Sequence, residues 1–311
     1  MKAGFIGYRN FAEKLRKIFE ESGHVEEFLF FHPEKCIENL LFTNKLEDLF
    51  GSDFIVIASP DWTHGPYLRQ LQDYEGYIFC EKIPVMTRED LAFLKNHYNP
   101  FLYFDFNYRK SYLFNLIQEF EEKILYINHL FSHGLALKEE YKNNWRSSAS
   151  KSPLGVFQLS GFHLFDLLVY SFGHPTSRRI TANNLSPYGD AIDNFGISLE
   201  FQDRIIADLF FSYTSPYNFS FNIITTEVLI MFDGKEVIVR GPRETFDNKG
   251  LFAFPSVISQ KKLNLYWDSL KKSVYYFLDI VKSKGEFSEA LLEKNLLSTE
   301  LFLDIFDELN N

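Results

Sequence analysis

The stretch KAGFIGYRNFA, residues 2–12, decides how the first half of the chain folds. Its apolar start, Lys2–Ile6, predicts a buried strand, and the apolar positions from Phe11 to Glu21 have the spacing of a helix. Further strands are predicted at 25–31, 54–58, 77–80 and 101–106, with helices at 64–74 and 88–97. Short apolar strands that alternate with amphipathic helices predict βαβ units and an α/β fold, a doubly wound parallel sheet covered on both faces.

The pattern changes after about residue 120. The predicted elements are a strand at 123–133, a polar loop at 138–153, a helix at 156–172, strands between 179 and 240, and helices at 267–282 and 288–309. Asp233-Gly234 predicts a hairpin between strands at 225–232 and 235–239. The second half is therefore interpreted as an α+β domain with an open, mainly antiparallel sheet. We expect domains at 1–115 and 116–311, and the C-terminal helices could pack back on the first.

Composition excludes several classes of protein. The 311 residues carry a net charge of −10, and 46% are hydrophobic, which is the balance of a globular chain. The acidic charge argues against a nucleic-acid binder and against an anionic membrane surface. The two cysteines, Cys36 and Cys80, are too few for a disulfide framework, and their spacing does not indicate a metal site. The 35 Phe and 17 Tyr are interpreted as residues of the hydrophobic core. No run of apolar residues approaches the ~20 needed to span a bilayer, and the N-terminus has no pattern of a signal peptide, so a cytoplasmic location is expected.

The turn after the first strand is a candidate phosphate site. A dinucleotide fingerprint, GxGxxG or GxGxxA, uses its first glycine for the tight turn and places a pyrophosphate at the helix N-terminus. Gly7 and Ala12 fit this pattern, but Arg9 stands where no side chain is expected. Arg9 could swing out and pair with a phosphate, or it could obstruct the site, and a plain βα turn is the alternative. The predicted cofactor contacts here are Gly7, Tyr8, Arg9 and Asn10.

The end of the second strand bears on the choice of cofactor. An NAD site usually has Asp or Glu at this strand end for the ribose hydroxyls, and this chain has none there. His32 and Lys35 could instead bind a 2′-phosphate, which favours NADP over NAD. The alternative is that both are solvated loop residues.

Four later segments form a set. They are Ala58–His64 (ASPDWTH), Cys80–Pro84 (CEKIP), Phe106–Arg109 (FNYR) and Gly161–Asp166 (GFHLFD). In order and spacing, they resemble the "(T/S)PxxxH", "EKP", "NxR" and "GxHxxD" motifs of the Gfo/Idh/MocA oxidoreductase family, with one residue inserted before the proline of the second motif. The resemblance runs along nearly the whole chain, and it implies a Rossmann domain followed by an α/β domain whose open sheet faces the active site.

The resemblance implies a chemistry as well as a fold. It implies an NAD(P)-dependent enzyme that moves a hydride between nicotinamide and a sugar or sugar-nucleotide substrate. Lys82 and His163 are its implied catalytic residues, and His163 lies near the substrate hydroxyl in the family. Further cofactor contacts are expected at Ser59, Pro60, His64, Glu81, Lys82 and Asn107. Ligands of doubly wound sheets bind outside the carboxyl ends of strands, where Ser59, Lys82 and Asn107 stand.

One position departs from the family pattern. Many active members carry an acidic residue four positions before the histidine, and this chain has Leu159 there. Leucine cannot accept a proton, so the acid/base work would fall to Lys82 and His163, while Asp166 is interpreted as structural. Leu159 and Arg9 together leave a second hypothesis open: a non-catalytic family member that acts as a binding or partner subunit.

The loop before the second-domain helix suggests the substrate. It holds Lys142, Trp145, Arg146 and Lys151, and aromatic plus basic groups suit a sugar ring and a phosphate. We expect Trp145, Arg146, Arg109 and His163 to contact a phosphorylated or nucleotide-linked sugar. An ordinary exposed loop is the alternative.

Two apolar stretches bear on assembly. Residues 199–213 and 222–232 alternate poorly between apolar and polar. Such strands predict cover on both faces, by helices or by a second subunit, so a homodimer or homotetramer is expected.

Overall fold

The computed structural model describes residues 1–33, 40–202, 204–242 and 246–310. The chain divides into two compact units. The first joins Met1–Lys110 to Ser269–Asn311, and the second is Ser111–Asp268. The division predicted after residue 115 therefore falls after Lys110, and the chain from Ser269 onwards returns to the first unit.

The first unit is built on a parallel sheet of six strands, in the order β3-β2-β1-β4-β5-β6. The strands are β1 (Lys2–Ile6), β2 (Glu27–Phe31), β3 (Leu41–Thr43), β4 (Phe54–Ile57), β5 (Tyr77–Glu81) and β6 (Leu102–Asp105). This arrangement confirms the predicted doubly wound sheet. Only β3 was not predicted, because a three-residue strand that is partly exposed carries neither length nor apolar pattern.

Helices connect these strands. They are α1 (Asn10–Glu21), α2 (His64–Gln70) and α3 (Arg88–Asn96), and the chain returns through α6 (Leu265–Ser283) and α7 (Glu289–Asn310). The helix predicted at 64–74 ends early. Residue Tyr74 turns inward instead, and its hydroxyl donates to the Ser52 carbonyl at 2.8 Å.

Aromatic rings fill the core of the first unit. Phe277, on α6, is fully buried. Its ring centroid lies 5.3 Å from that of Phe54, 5.2 Å from that of Phe79 and 5.9 Å from that of Tyr103. These contacts explain why the C-terminal segment belongs to the first unit, and they agree with the interpretation of the aromatic residues as core.

The second unit is built on a mixed sheet of eight strands, in the order β14-β13-β12-β11-β7-β10-β9-β8. The strands are β7 (Ile124–Ser132), β8 (Ser177–Asn183), β9 (Asn194–Phe201), β10 (Ile205–Ser212), β11 (Asn218–Thr225), β12 (Leu229–Phe232), β13 (Glu236–Arg240) and β14 (Val257–Lys262). Among the described strands of this sheet, only β7 and β10 pair in parallel, so the prediction of a mainly antiparallel sheet is confirmed. The helices are α4 (Tyr112–Phe120) and α5 (Phe162–Phe172).

The strand predicted at 225–232 is wrong at its start. Thr225 ends β11, and the chain reverses before β12. The Thr225 hydroxyl oxygen accepts from the backbone N–H groups of Glu227 at 3.0 Å and Val228 at 2.7 Å, which closes the turn. The hairpin at Asp233-Gly234 is confirmed, with φ of +91° at Gly234.

The outer face of the second sheet is open within the described part of this unit. Burial alternates along β10, so one face is buried and the other is not. Ile206 is 49% exposed, Phe210 41% and Ile224 42%. The prediction of an open sheet agrees with this, whereas cover of that face by helices of the same unit is not found among the described residues.

Candidate functional site

The first candidate region lies where the strand order of the parallel sheet reverses. β1 stands between β2 and β4, Gly7 follows β1, and Ser59 follows β4 closely. Gly7 has φ of +90°, and a Cβ there would lie 3.1 Å from the Ser59 Cα. The two turns therefore touch, and a side chain at residue 7 has no room. Ligands of doubly wound sheets bind at this kind of position.

The N-terminus of α1 opens onto the same edge of the sheet. Arg9 is the N-cap residue, with extended backbone and no side-chain capping bond, and its side chain is exposed. The first N–H groups of the helix, beginning at Asn10, are left to bind an anionic group.

Tyr8 is held by a small polar network. Its hydroxyl donates to Glu13 Oε2 at 2.5 Å, and its ring packs edge-on against Phe30 and Phe42. The hydrogen bond from Arg16 lowers the pKa of Glu13 to about 2. The Tyr8 hydroxyl thus has a partner in Glu13, and its ring packs beside the turn that follows β1.

The residues predicted to bind a 2′-phosphate are only partly described. His32 follows β2 directly, is partly buried, and donates its backbone N–H to the Thr43 carbonyl at 3.1 Å. Lys35, like Glu34, lies outside the described residues. The structure therefore gives a position for His32 alone.

His64 joins two of the predicted motifs. It is fully buried, with Nδ1 at 2.7 Å from the Ile83 carbonyl oxygen and Nε2 at 2.9 Å from the Ser59 carbonyl oxygen. Burial lowers the pKa of His64, and the Asp61 carboxylate acts in the opposite direction. His64 thus fixes the turn at Ser59–Pro60 against the segment that carries Lys82, which is a positioning role.

Lys82 leaves the sheet directly after β5, and the peptide bond to Ile83 is cis. Its side chain is 7% exposed. Glu81, the last residue of β5, is paired in register with Asp105, the last residue of β6. Lys82 is therefore a shielded amine at the carboxyl edge of the sheet, where the sequence predicted it.

Asp105 was not predicted as a site residue. It is 2% exposed, and Ser273 Oγ donates to its Oδ1 at 2.5 Å. Burial raises the pKa of Asp105 to about 7, while the Ser273 hydrogen bond and the Lys82 charge act to lower it. The available pattern was a lone acid at the end of an apolar strand, FLYFDF, which alone does not distinguish a buried carboxylate from an exposed one.

Asn107 and Arg109 lie in a short helix after β6. Asn107 is 1% exposed, its Nδ2 donates to Ser269 Oγ at 3.1 Å, and its Oδ1 is buried with no hydrogen-bond partner among the described residues. Arg109 is 7% exposed, stacks 4.0 Å over the Phe106 ring, and donates to Asn295 Oδ1. Its guanidinium thus has two contacts inside the first unit, and its role as a substrate contact stays a prediction.

His163 lies in the second unit, at the second position of α5. A π-helical turn, Phe157–Gly161, precedes it and contains the partly exposed Leu159. A Cβ on Gly161 would lie 2.9 Å from the Phe211 ring, so this glycine lets the helix start pack on β10. His163 is partly exposed, and its ring centroid lies 6.1 Å from that of Tyr266. Asp166 is 1% exposed, in keeping with its structural interpretation.

A second group of side chains in this unit gathers around Arg146. We call Trp145, Arg146, His133, Tyr213 and Ser160 the Arg146 cluster. Arg146 Cζ lies 4.6 Å over the Trp145 ring, the rings of His133 and Tyr213 are 4.6 Å apart, and the Tyr213 hydroxyl is 3.1 Å from Ser160 Oγ.

Electrostatic effects connect the members of the Arg146 cluster. Burial lowers the pKa of His133, and the positive charges of Arg146 and Lys138 act in the same direction. Burial raises the pKa of Tyr213, against the effect of Arg146. The cluster therefore combines a cation, a neutral imidazole and a neutral phenol. Tyr213 was not predicted, because one tyrosine after a strand end has no distinguishing pattern.

Two further basic residues of the loop lie at the surface. Lys142 Nζ lies 2.7 Å from Glu139 Oε1, and Lys151 is exposed.

Among the residues with described positions, no group of three or more His, Cys, Asp or Glu could hold a metal ion. None of the described helices is long and apolar enough to cross a membrane.

Comparison with known proteins identifies part of the chain. Residues 123–230, which lie within the second unit, match the family model of the GFO/IDH/MocA C-terminal domain. Over 144 residues the chain is 27% identical to glucose-6-phosphate 3-dehydrogenase of Bacillus subtilis (strain 168). That match covers 42% of this chain and 40% of the relative, so it spans less than half of the curated protein.

Solved structures extend the likeness to the whole fold. A protein of Desulfitobacterium hafniense DCB-2, proposed to be an NADPH-dependent oxidoreductase, superposes with a TM-score of 0.79 at 18% identity, covering 100% of this chain and 95% of that one. Levoglucosan dehydrogenase in complex with NADH and levoglucosan gives 0.77 at 14% identity, covering 96% and 94%. These findings confirm the predicted resemblance to the Gfo/Idh/MocA family: residues 123–230 match the family's C-terminal domain, and the whole chain shares its fold with solved oxidoreductases.

Proposed function

We propose that the chain is an NAD(P)-dependent oxidoreductase that transfers a hydride between nicotinamide and a hydroxyl-bearing or keto carbon of a sugar or sugar nucleotide. One observation carries the proposal. Gly7 lies against Ser59 at the point where the strand order of the parallel sheet reverses, and the nearly buried Lys82 lies at the same edge of that sheet. A dinucleotide site and a proton-transfer group are thus built on one rigid element.

The residues at this edge fit a nicotinamide dinucleotide. Gly7 lets the turn after β1 lie against Ser59, and the uncapped N-terminus of α1 with Arg9 offers donors to a pyrophosphate. The buried Asn107 Oδ1 is an acceptor without a protein donor among the described residues, as a cofactor contact requires. When bound, the cofactor supplies the hydride chemistry, and the protein supplies position and proton transfer.

We place the proton transfer on Lys82 and His163. Lys82, which is 7% exposed, is the proposed base that accepts the hydroxyl proton in the oxidation direction. His163 is the proposed second group at the substrate hydroxyl. Leu159 offers no carboxylate, so no third acid at that position takes part.

We propose NADP as the preferred cofactor. His32 stands where an NAD enzyme usually has an acid, and its ring can carry positive charge toward a 2′-phosphate. The superposed protein from Desulfitobacterium is proposed to depend on NADPH, whereas levoglucosan dehydrogenase was solved with NADH.

A titration tests the cofactor site directly. Purified protein is titrated with NADPH and NADH while nicotinamide fluorescence is followed, and the expected result is micromolar binding with NADPH the tighter. If neither binds at millimolar concentration, the supernatant of denatured protein is examined for cofactor carried from the cell. An empty supernatant would contradict the proposal.

The substrate is proposed to carry a phosphate. Within the Arg146 cluster, the guanidinium and the Trp145 ring offer a cation and an aromatic face. The name of the Bacillus relative is that of a dehydrogenase of a phosphorylated sugar, which supports the same class.

We expect Arg146→Ala to raise KM for a sugar phosphate about 10- to 100-fold, because a charge-assisted contact to phosphate contributes about 1.5 to 3 kcal/mol. Steady-state kinetics over a panel of sugars and their 6-phosphates measure it. Lys142→Ala is the matched control, since that ammonium is paired with Glu139 and its loss should leave KM unchanged. An unchanged KM in Arg146→Ala would end the phosphate hypothesis.

A second candidate function rests on Leu159 and Arg9. Both depart from the pattern of active family members, which favours a non-catalytic binding or partner subunit. The two hypotheses separate in the titration above, because a subunit that has lost the cofactor binds neither NADPH nor NADH.

We also propose that the chain assembles as a homodimer or homotetramer through the open face of the second sheet. The half-exposed Ile206, Phe210 and Ile224 favour burial against another copy. Light scattering is expected to give at least twice the chain mass of 36.6 kDa, and Phe210→Lys should lower that mass. A monomer mass for the unaltered protein would refute the assembly.

A further inference from the structure

A buried carboxylate stands beside Lys82 without a role in the function proposed above. Asp105 ends β6 at 2% exposure, and Ser273 donates to it from α6. The Ser273 hydroxyl is also 2.7 Å from the Tyr103 hydroxyl. Because the Ser273 proton goes to the carboxylate, Tyr103 must donate to Ser273. A directed chain of hydrogen bonds thus orients Asp105 from one side.

Lys82 lies near this carboxylate at the same edge of the sheet. The register of β5 and β6 pairs Glu81 with Asp105, so Lys82 begins directly beyond that pair. The Lys82 charge lowers the pKa of Asp105, which places the two groups within electrostatic range of each other. Both side chains are nearly excluded from water, where the attraction between opposite charges is stronger than at the surface.

The other titratable groups packed around them are identifiable. Burial raises the pKa of the Cys80 thiol and of the Tyr103 phenol, so both stay neutral, and burial lowers the pKa of His64. Two other acids lie in this region: Glu81, which is partly exposed, and the buried Asp61, whose charge acts on His64. Asp105 is the buried acid of this region on which the Lys82 charge acts, so it can balance a charge on Lys82.

We propose that Asp105 is the positioning residue of Lys82: its carboxylate, held by Ser273, stabilises the ammonium that forms when Lys82 takes the substrate proton. The inference rests on the proposed function for that proton. In the oxidation direction, the substrate O–H bond breaks and an N–H bond forms at Lys82 Nζ. The negative charge that balances the Lys82 ammonium then comes from Asp105. Position 159 cannot supply it, because its residue is leucine.

The test measures Lys82 itself, without any substrate. Competitive trace labelling with acetic anhydride across a pH series, read by peptide mass spectrometry, gives the midpoint at which the Lys82 amine becomes reactive. Loss of a nearby carboxylate destabilises the ammonium, so Asp105→Asn should move this midpoint down by about one pH unit. Ser273→Ala leaves the acid but removes its donor, and should move the midpoint in the same direction by less.

Asp90→Asn is the matched control. Asp90 is a buried acid of the same unit, 9% exposed, whose carboxylate binds Arg69 and Thr87, and its loss should leave the Lys82 midpoint in place. An unchanged midpoint in folded Asp105→Asn would overturn the proposal. Should that variant fail to fold, an unchanged midpoint in Ser273→Ala would overturn it.

Failure of the proposed function is distinguishable from failure of this inference. If the unaltered protein binds neither NADPH nor NADH, the oxidoreductase proposal fails, whereas the labelling result still reports on the Asp105–Lys82 pair. In a turnover assay of the oxidation direction, kcat of Asp105→Asn should keep its plateau down to a lower pH than kcat of the unaltered protein. The Kd for NADPH should stay the same. A pH profile of kcat that matches the unaltered protein would count against the positioning role.

Discussion

Replacing Lys82 with methionine should lower kcat by about 10²- to 10⁴-fold, the usual contribution of a positioned acid or base. Methionine keeps the length and apolar stem of the side chain and removes the amine. Because Lys82 is only 7% exposed, water cannot easily take over its proton transfer. The Kd for NADPH should change little, since the backbone of the turn that follows β5 is held by His64.

The matched control for this prediction is Lys95→Met. Lys95 lies in the same unit, but it is exposed and its Nζ is 2.8 Å from Glu300 Oε2. Its loss should leave both kcat and cofactor binding unchanged. Steady-state kinetics with the best sugar of the panel, together with fluorescence titration, separate chemistry from binding. Full kcat in Lys82→Met would remove this residue from the proposed mechanism.

Gly7→Val should weaken NADPH binding at least about 100-fold, which corresponds to about 2.7 kcal/mol. The substitution brings two separate penalties. A Cβ would lie 3.1 Å from the Ser59 Cα, so the two turns of the cofactor edge must move apart. The backbone also has φ of +90°, which side chains rarely adopt. Fluorescence titration measures the affinity, and thermal unfolding measures the loss of stability.

Gly23→Val separates these penalties. Gly23 has φ of +69° and belongs to the same unit, but nothing lies within 4 Å of the position of its Cβ. It should therefore lose stability through backbone strain and keep the affinity for NADPH. Equal affinities in the Gly7 and Gly23 variants would show that the contact between Gly7 and Ser59 is not part of a cofactor site.

The parallel sheet could be predicted because its strands are short apolar runs that end in turn residues. β1 matched its prediction, and β5 and β6 differed by one or two residues. Failures came where a local contact overrides the pattern. Thr225 closes a turn through its hydroxyl inside what looks like one continuous strand, and Tyr74 is drawn inward by the Ser52 carbonyl.

In the candidate site, too, some positions follow from a local sequence pattern and others depend on contacts with distant elements. Residues such as Ser59, Lys82 and Asn107 were predictable because their positions after strands place them at one edge of the sheet. Arg109 also follows a strand, but its hydrogen bond to Asn295, which is 186 positions away on α7, could not be predicted from a local pattern. Asp105 and Tyr213 gain their significance only from burial and from neighbours on other elements, which no local pattern shows.

The return of α6 to the first sheet has a consequence for synthesis on the ribosome. Phe277 packs among Phe54, Phe79 and Tyr103, but it is translated after the whole second unit, residues 111–268. At ordinary elongation rates, that delay is on the order of ten seconds. During this interval the nascent parallel sheet presents an uncovered aromatic surface, which is the kind of surface that chaperones bind. Folding of the first unit is thereby completed after translation of the second, and a chain that stops before α6 lacks the helix that seals its first core.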